Sequence, residues 1–263
     1  METITSAQNP KLKRLLALQE KSSLRREAGL FVVEGRRELE HCLQAGFEID
    51  TLFVCPELTP VEDFSDFQRL KTFAISREAY AKVAYRGGTE GVIAEVRARN
   101  LRLEDLKLRD NPLVIVLEGV EKPGNLGAVL RSADAAAADA VIICDPLTDL
   151  WNPNLIRASI GAIFTVPTVA CISRDAISWL KDNNIQILTA QLQDSSLYYD
   201  TPMTGPTAIV MGTESTGLTQ QWRIAADAHI RIPMLGRLDS LNVSVSAAIL
   251  LFEALRQRQG ESA

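Results

Sequence analysis

Six short, uninterrupted apolar runs follow one another along the second half of the chain. They read LVIVLE, AVIIC, FTVPTVA, IQILTA, TAIVMG and AHIRI. Strands that are buried on both faces have this composition, because helices cover both sides of a parallel sheet. Helical segments lie between or after them: NLGAVLRSADAAAA, PNLIRASIGA, DAISWLKDN and VSVSAAILLFEAL. The pattern predicts an α/β fold with a parallel sheet, whose ligands bind beyond the carboxyl ends of the strands.

The first hundred residues also alternate between helical and strand patterns. NPKLKRLLALQ predicts an amphipathic helix that begins at Asn9 and Pro10, with its leucines facing inward. LFVVEG, IDTLFVC, KTFAIS and GVIAEV predict strands, whereas RRELEHCLQAG and REAYAKVA predict helices. A polar, charged segment at residues 97–112 is typical of a linker. We therefore predict two domains, residues 1–105 and residues 106–263.

The composition excludes several classes of protein. With 263 residues, 46% of them hydrophobic, and a net charge of −5, the chain has a full core and does not simply coat nucleic acid. No apolar run approaches the ~20 residues of a membrane span. The four cysteines are widely spaced inside apolar stretches, which favours free thiols in a reducing cytoplasm. With only two histidines and no paired cysteines, no metal site is expected.

Positive charge is concentrated near the N-terminus. Residues 1–37 hold eight lysines or arginines against four glutamates. Such a basic helix on an acidic body is typical of an arm that contacts RNA phosphates. A solvated helix face is an equally good interpretation of the charge alone.

The glycine-rich stretch GVEKPGNLGAVLRSADA follows the strand LVIVLE. Gly119 and Gly124 have the glycine spacing of a nucleotide-binding P-loop, but Asn125 and Leu126 replace the Lys and Ser or Thr that this motif requires. The dinucleotide fingerprint G-x-G-x-x-G is also absent, so the chain is neither kind of nucleotide enzyme. An arginine on the apolar helix that follows, Arg131, indicates a functional site or a structural ion pair, because an unpaired buried charge is costly.

Polar residues follow two later strands as well. Glu214 comes just after TAIVMG, between two glycines that allow close approach of a ligand, and we expect it to face Arg131. The C-terminal helix opens with Ser240, Asn242, Ser244 and Ser246, although one residue suffices to cap a helix. Three loops after strands thus carry polar groups, which predicts that they converge on one site.

Three stretches resemble the motifs of a known enzyme family. NLGAVLR, VMGTESTGL and IPMLGRLDSLNVSVSAAI resemble, in order, the three motifs of the SpoU/TrmH branch of the SPOUT methyltransferases. The N-terminal stretch NPKLKRLLALQEKSSLRREAGLFVVEG resembles the substrate-binding extension of this family, which has a ribosomal-protein-like α/β fold. The resemblance implies a SPOUT-type parallel sheet with a deep trefoil knot in the C-terminal domain. It also implies methyl transfer from S-adenosylmethionine (SAM) to a ribose 2′-hydroxyl of structured RNA, either rRNA or tRNA.

The resemblance also assigns roles to residues. Arg131 is implied in activation of the 2′-hydroxyl, either as a base or as a charged stabiliser, and a pKa above ~12 makes a guanidinium a poor base. The residues implied to orient the arginine, the ribose or the phosphate are Asn125, Glu214, Ser240 and Asn242. Those implied to hold the cofactor are Gly212, Ile232, Met234 and Leu241. We expect the RNA to be bound by Lys11, Lys13, Arg14, Arg25, Arg26 and Arg157.

Two further expectations concern assembly and activity. The C-terminal helix is apolar nearly all round, which is more apolar surface than one sheet face should need. The resemblance also implies a dimer. We therefore expect a homodimer through the C-terminal domains. The alternative function is that of a catalytically inactive RNA-binding or ribosome-assembly protein with the same fold. Thr213 departs from the family, in which the second motif commonly reads Gly-Asn-Glu.

Overall fold

The computed structural model describes residues 2–59, 70–85, 90–213 and 215–260, so Glu214 lies outside the described residues. The first elements are β1 (Glu2–Ile4), α1 (Pro10–Glu20), α2 (Ser22–Ala28), β2 (Leu30–Glu34), α3 (Arg36–Gln44), β3 (Ile49–Val54), β4 (Thr72–Ile75), α4 (Arg77–Val83) and β5 (Val92–Arg97). Then follow β6 (Leu113–Glu118), α5 (Pro123–Ala135), β7 (Ala140–Cys144), α6 (Pro153–Ser159), α7 (Ala162–Thr165), β8 (Thr168–Cys171) and α8 (Ser173–Asp182). The last are β9 (Gln186–Ala190), β10 (Ser196–Leu197), β11 (Thr207–Met211), α9 (Gln220–Ala225), β12 (Ala228–Arg231) and α10 (Val243–Gly260).

The chain forms two compact units. The first unit contains Met1–Arg99 and Asp149–Thr165, and the second contains Asn100–Thr148 and Val166–Ala263. Within the described residues, no helix has both the length and the apolar character needed to cross a membrane.

The first unit is built on a mixed five-stranded sheet with the order β1-β4-β3-β5-β2. β4 pairs in parallel with β1 and β3, whereas β5 pairs antiparallel with β3 and β2. Asn9 caps α1 by accepting a hydrogen bond from the backbone of Lys11, and Leu12, Leu15 and Leu18 are fully buried against the sheet core. The predicted strands and helices of this part are confirmed. The sequence did not indicate β1 or α2, which are too short for a clear periodicity.

The segment 149–165 completes the first unit with aromatic rings. Trp151 stacks on Phe31 with 4.4 Å between ring centroids, and Phe164 meets Phe47 edge to face at 5.4 Å. Our predicted second domain, residues 106–263, includes this segment, whereas in the structure it packs with the first unit. Its local pattern shows that it is apolar but not which core it joins, so the boundary at residue 105 stays a prediction.

The second unit contains a seven-stranded sheet with the order β10-β12-β9-β11-β6-β7-β8, and all its described pairings are parallel. The predicted parallel α/β sheet is therefore confirmed. One predicted strand, FTVPTVA, is wrong in its first half, because Phe164 and Thr165 end α7 and β8 begins only after Pro167. The proline has no N–H to donate to a sheet.

The helix α10 packs against α5, β6 and β11. Its buried residues are Val243, Ala247, Leu250, Leu251 and Ala254. Val245 and Phe252, which recur with the helical period, are each 47% exposed. The helix is confirmed, and one of its apolar faces is left uncovered in the single chain.

Candidate functional site

The carboxyl ends of four adjacent strands carry the candidate site. Segments after β9, β11 and β12 and the start of α10 enclose a cavity of about 370 Å³. The four residues implied to hold the cofactor, Gly212, Ile232, Met234 and Leu241, all line this cavity, and so does Ser240. The loops that we expected to converge therefore meet at one edge of the sheet.

A second, smaller cavity adjoins the first. It has a volume of about 250 Å³ and is lined by the loop after β6, by Asn125 at the start of α5, and by three residues that also line the larger cavity: Thr213, Ser215 and Val243. Asn242 Nδ2 donates to Asn125 Oδ1 at 3.1 Å, so two predicted site residues from distant parts of the chain are in direct contact. The arrangement offers a large half-apolar cleft beside a polar recess.

The polar residues at the start of α10 have different tasks. Asn242 caps the helix, since its Oδ1 accepts from the backbone N–H of Ser244 at 3.0 Å and from the Ser244 hydroxyl at 2.6 Å. Ser240 is exposed and donates to Asp239 Oδ1 at 3.3 Å. Ser240 and Ser246 line the larger cavity. Asn242 and Ser244 thus serve the cap, and the other two serines are available to a ligand.

The turn after β11 is held by its own backbone and hydroxyl groups. A Cβ atom on Gly212 would lie 2.6 Å from the Leu218 nitrogen and closer still to the carbonyl group of Gly217. Thr213 Oγ1 accepts from the backbone N–H of Thr216 at 3.0 Å, and Thr213 O accepts from Gly217 N at 3.0 Å. Gly212 thus permits the close approach of the turn, and its expected contact with a ligand stays a prediction. The departure at Thr213 is accommodated by a hydroxyl that closes this turn.

A buried polar network supports the same turn from below, and the sequence analysis did not find it. Glu118, at the end of β6, accepts from Thr219 N at 2.8 Å and from the Thr219 hydroxyl at 2.6 Å. The Ser173 hydroxyl lies 3.2 Å from the same carboxylate and accepts from Trp222 Nε1 at 2.9 Å. The glutamate that ends the apolar run LVIVLE was the available signal. Trp222 is fully buried, as expected of a packing residue.

Two residues of the larger cavity each hold a buried polar atom without a hydrogen-bond partner among the described residues. Gln191 Oε1 and Arg223 Nε are buried, and no hydrogen-bond partner is present among the described residues. Both residues line the cavity. The sequence analysis missed them because neither belongs to the three motifs.

Arg131 is exposed on α5, and its side chain makes no hydrogen bond or ion pair with any described residue. It is not among the residues that line either cavity. Its expected partner, Glu214, lies outside the described residues, so their pairing stays a prediction. The exposure of Arg131 differs from the buried setting that the apolar helix indicated.

The basic residues expected to bind RNA fall into separate groups. Lys13 and Arg26 are exposed, and Arg14 bonds to Glu95 Oε2 at 2.7 Å. Lys11 lies 4.5 Å above the Phe73 ring centre. Arg25 is only 4% exposed: its Nε is 2.6 Å from Asp149 Oδ2, and its Nη1 donates to the carbonyls of Leu18 and Gln19.

The last expected RNA contact, Arg157, is half-buried in the first unit. It lines a cavity of about 400 Å³ that also contains Glu38 and Tyr85. Metal ligation has no support in the part of the chain that the structure describes, where no three His, Cys, Asp or Glu residues form a group that could hold an ion.

Sequence comparison divides the chain between two family models. The SpoU rRNA Methylase family matches residues 112–252, and the MRM3-like substrate binding domain matches residues 9–94. A 23S rRNA (guanosine(2553)-2′-O)-methyltransferase of Bacillus subtilis is 28% identical over 96% of this chain and 98% of its own length. A 23S rRNA (guanosine-2′-O-)-methyltransferase of Haemophilus influenzae is 38% identical over 71% of this chain and 78% of its own length.

Solved structures agree with these matches. An RNA 2′-O ribose methyltransferase superposes with a TM-score of 0.85 and 40% identity, over 98% of this chain and 99% of that chain. An AdoMet-bound rRNA methyltransferase from Sinorhizobium meliloti has a TM-score of 0.89 and 29% identity, over 97% of each chain. The family model covers the whole candidate site, with the sheet edge, both cavities and the start of α10. The chain therefore belongs to the SpoU rRNA Methylase family.

Proposed function

We propose that this protein is a SAM-dependent methyltransferase that methylates a ribose 2′-hydroxyl of 23S rRNA. The observation that carries the proposal is the double cavity at the strand ends, formed by the residues that match the family model. The relatives named above are 23S rRNA 2′-O-methyltransferases, and a structural neighbour binds AdoMet. Residues 9–94 match a substrate binding domain, which supports a role in RNA recognition for this part of the chain.

The larger cavity fits the cofactor. Ile232, Met234 and Leu241 supply apolar walls for an adenine, and two other lining residues, Gln191 and Arg223, each hold a buried polar atom without a partner among the described residues. When bound, SAM supplies a methyl group on a sulfonium, which is an excellent leaving group. The protein therefore has to hold the cofactor, hold the ribose and help remove the hydroxyl proton.

The smaller cavity is the place proposed for the ribose. Asn125 lines this cavity, and the amide of Asn242 holds it in place by donating to Asn125 Oδ1. We assign Arg131 to the RNA phosphate and to the developing alkoxide as a charged group. The exposed setting of Arg131 on α5 supports a contact with the RNA, because a guanidinium donates two parallel hydrogen bonds to a phosphate.

A methylation assay tests this function. The full-length protein is incubated with SAM and with 23S rRNA or tRNA transcripts, and 2′-O-methylation is mapped by sequencing. Arg131→Ala should bind SAM almost normally and lose methyl transfer by ~10² or more, the scale for one oriented charged group. The control is Arg174→Ala, which removes an exposed arginine on α8. Normal RNA binding without SAM binding would instead support the inactive RNA-binding protein.

RNA binding by the N-terminal unit is the second part of the proposal. Lys13 and Arg26 are exposed and have no ion-pair partner among the described residues, so they are available to phosphates. Their combined change to Gln should weaken RNA binding and flatten its salt dependence, with cofactor affinity unchanged. Arg25 belongs to the interior of the unit and is left intact. Unchanged RNA affinity at every salt concentration would show that these residues form only a solvated face.

We also propose a homodimer through α10. Val245 and Phe252 lie on its uncovered apolar face, and exposed Leu235 and Leu238 precede the helix in the chain. Exposed apolar patches of this kind mark interfaces. Phe252→Glu should convert a dimer into a monomer in analytical ultracentrifugation, whereas Ile172→Glu, a change at a similarly exposed residue, should not. A monomeric wild-type protein at micromolar concentration would contradict the dimer.

Two further features belong to the proposal. We assign a trefoil knot to the second unit, supported by α10, which follows β12 yet packs on β6, β11 and α5. We place the protein in the cytoplasm, supported by its four free cysteines. Cys144 and Cys171 are register partners on β7 and β8 and are free thiols, which fits a reducing compartment.

A further inference from the structure

Two unpartnered atoms distinguish the larger cavity from the rest of the second unit. Among the described residues of this unit, Gln191 Oε1 and Arg223 Nε are the buried side-chain atoms without a hydrogen bond. A buried polar group left unpaired costs about 1–3 kcal/mol. Because both residues line the cavity, a ligand bound there is the partner that the cavity can offer to their side chains.

Arg223 is the cation of the cavity whose side chain has no hydrogen bond or ion pair among the described residues. Among the described residues, the charged residues that line the cavity are Arg223, Arg231 and Asp239. Arg231 Nη1 donates to the Ser195 hydroxyl at 3.4 Å, and Asp239 accepts from Ser240. No hydrogen bond or ion pair joins Arg223 to any described side chain.

The charges of the cofactor decide which of its groups an arginine can meet. SAM carries one anionic group, its carboxylate, and two cationic groups, its sulfonium and its ammonium. A guanidinium beside either cation would be repelled, whereas beside the carboxylate it forms a charge-assisted hydrogen bond. We infer that Arg223 binds the carboxylate of the cofactor; this inference rests on the proposed function.

Gln191 lies at another part of the cavity wall. Its backbone N–H donates to Ile230 O at 3.0 Å, beside the strand end that leads to the apolar wall at Ile232 and Met234. Arg223 lies near the turn after β11, where its Nη2 is 4.0 Å from the place of a Cβ on Gly217. Gln191 Oε1 thus accepts from the adenosine half of the cofactor.

Calorimetry with two ligands tests the assignment. SAM and decarboxylated SAM differ only in the carboxylate, and both are titrated into the full-length protein. Arg223→Met should weaken SAM binding about 10- to 100-fold and leave decarboxylated SAM within about threefold, because only the first ligand loses a partner. Arg223→Lys should restore part of the loss. Gln191→Leu should weaken both ligands equally, and Arg231→Met should preserve the ratio of the two affinities.

The outcomes separate this inference from the proposed function. If the wild-type protein binds neither ligand, the proposed function fails. If the wild-type protein binds both ligands with equal affinity, no group in the cavity recognises the carboxylate and the inference fails. This result does not depend on whether the variants fold. Equal weakening of both ligands by Arg223→Met would also overturn it.

Discussion

Gly212→Ala tests how strictly the turn after β11 shapes the cofactor site. The added methyl group would lie 2.6 Å from the Leu218 nitrogen and nearer to the Gly217 carbonyl, whereas ordinary contacts begin near 3.4 Å. The obstructing atoms belong to the backbone, so the turn must move by about 1 Å. Overpacking of this kind costs about 1–3 kcal/mol. Because the displaced turn lines both cavities, we expect cofactor affinity to fall about tenfold or more.

The opposite end of the same strand provides the control. Gly205 precedes β11, and a Cβ there would meet nothing within 4 Å. Gly205→Ala should leave cofactor affinity unchanged and stabilise the protein by about 0.4–1 kcal/mol, because alanine restricts the unfolded chain. Calorimetric titration with SAM and urea denaturation measure the two effects. Wild-type affinity in a folded Gly212→Ala protein would refute the reasoning, since the turn would then tolerate the methyl group without moving its lining residues.

Two predictions concern the stability of the first unit. Burial raises the pKa of Glu95 from 4.5 to about 6, so between these values the folded state binds more protons than the unfolded state, and stability falls as the pH rises through this window. Glu95→Gln should remove up to about 2 kcal/mol of this pH dependence. Urea denaturation at pH 5 and pH 8 measures it. If the free energy of unfolding changes between the two pH values as much in the variant as in the wild-type protein, the prediction is wrong. Arg25→Met should cost about 3–5 kcal/mol, because it leaves the Asp149 carboxylate without its ion pair. Arg26→Met, the exposed neighbour, should change stability by less than about 0.5 kcal/mol, and equal effects of the two would refute the buried role.

The strands of the second unit could be predicted because burial on both faces leaves a continuous apolar run. Their carboxyl ends identified the loops that meet at the site, and Asn125 and Asn242 do meet. Contacts between segments that are far apart in the sequence were harder to predict. A basic run does not show that Arg25 is buried while Arg26 is exposed, since that depends on Asp149, far along the chain.

The face of α10 illustrates a second limit. Its apolar residues surround most of the helix, so periodicity alone could not decide which side meets the sheet. The small residue Ala247 and the leucines at 250 and 251 face inward, whereas the larger Phe252 faces outward. The orphaned atoms of Gln191 and Arg223 were beyond prediction for a similar reason: their lack of partners is a property of the folded cavity.

The segment 149–165 has a consequence for how the protein is made on the ribosome. The first unit needs Trp151 and Phe164 to cover the rings of Phe31 and Phe47, and Asp149 to neutralise Arg25. Chains grow at about 5–20 residues per second, so the nascent N-terminal part waits several seconds for its last pieces. During that interval β6, α5 and β7 are synthesised between the two parts of the unit. The N-terminal part therefore cannot complete its folding as an independent module, and a chain cut at residue 105 should expose its aromatic surface and aggregate.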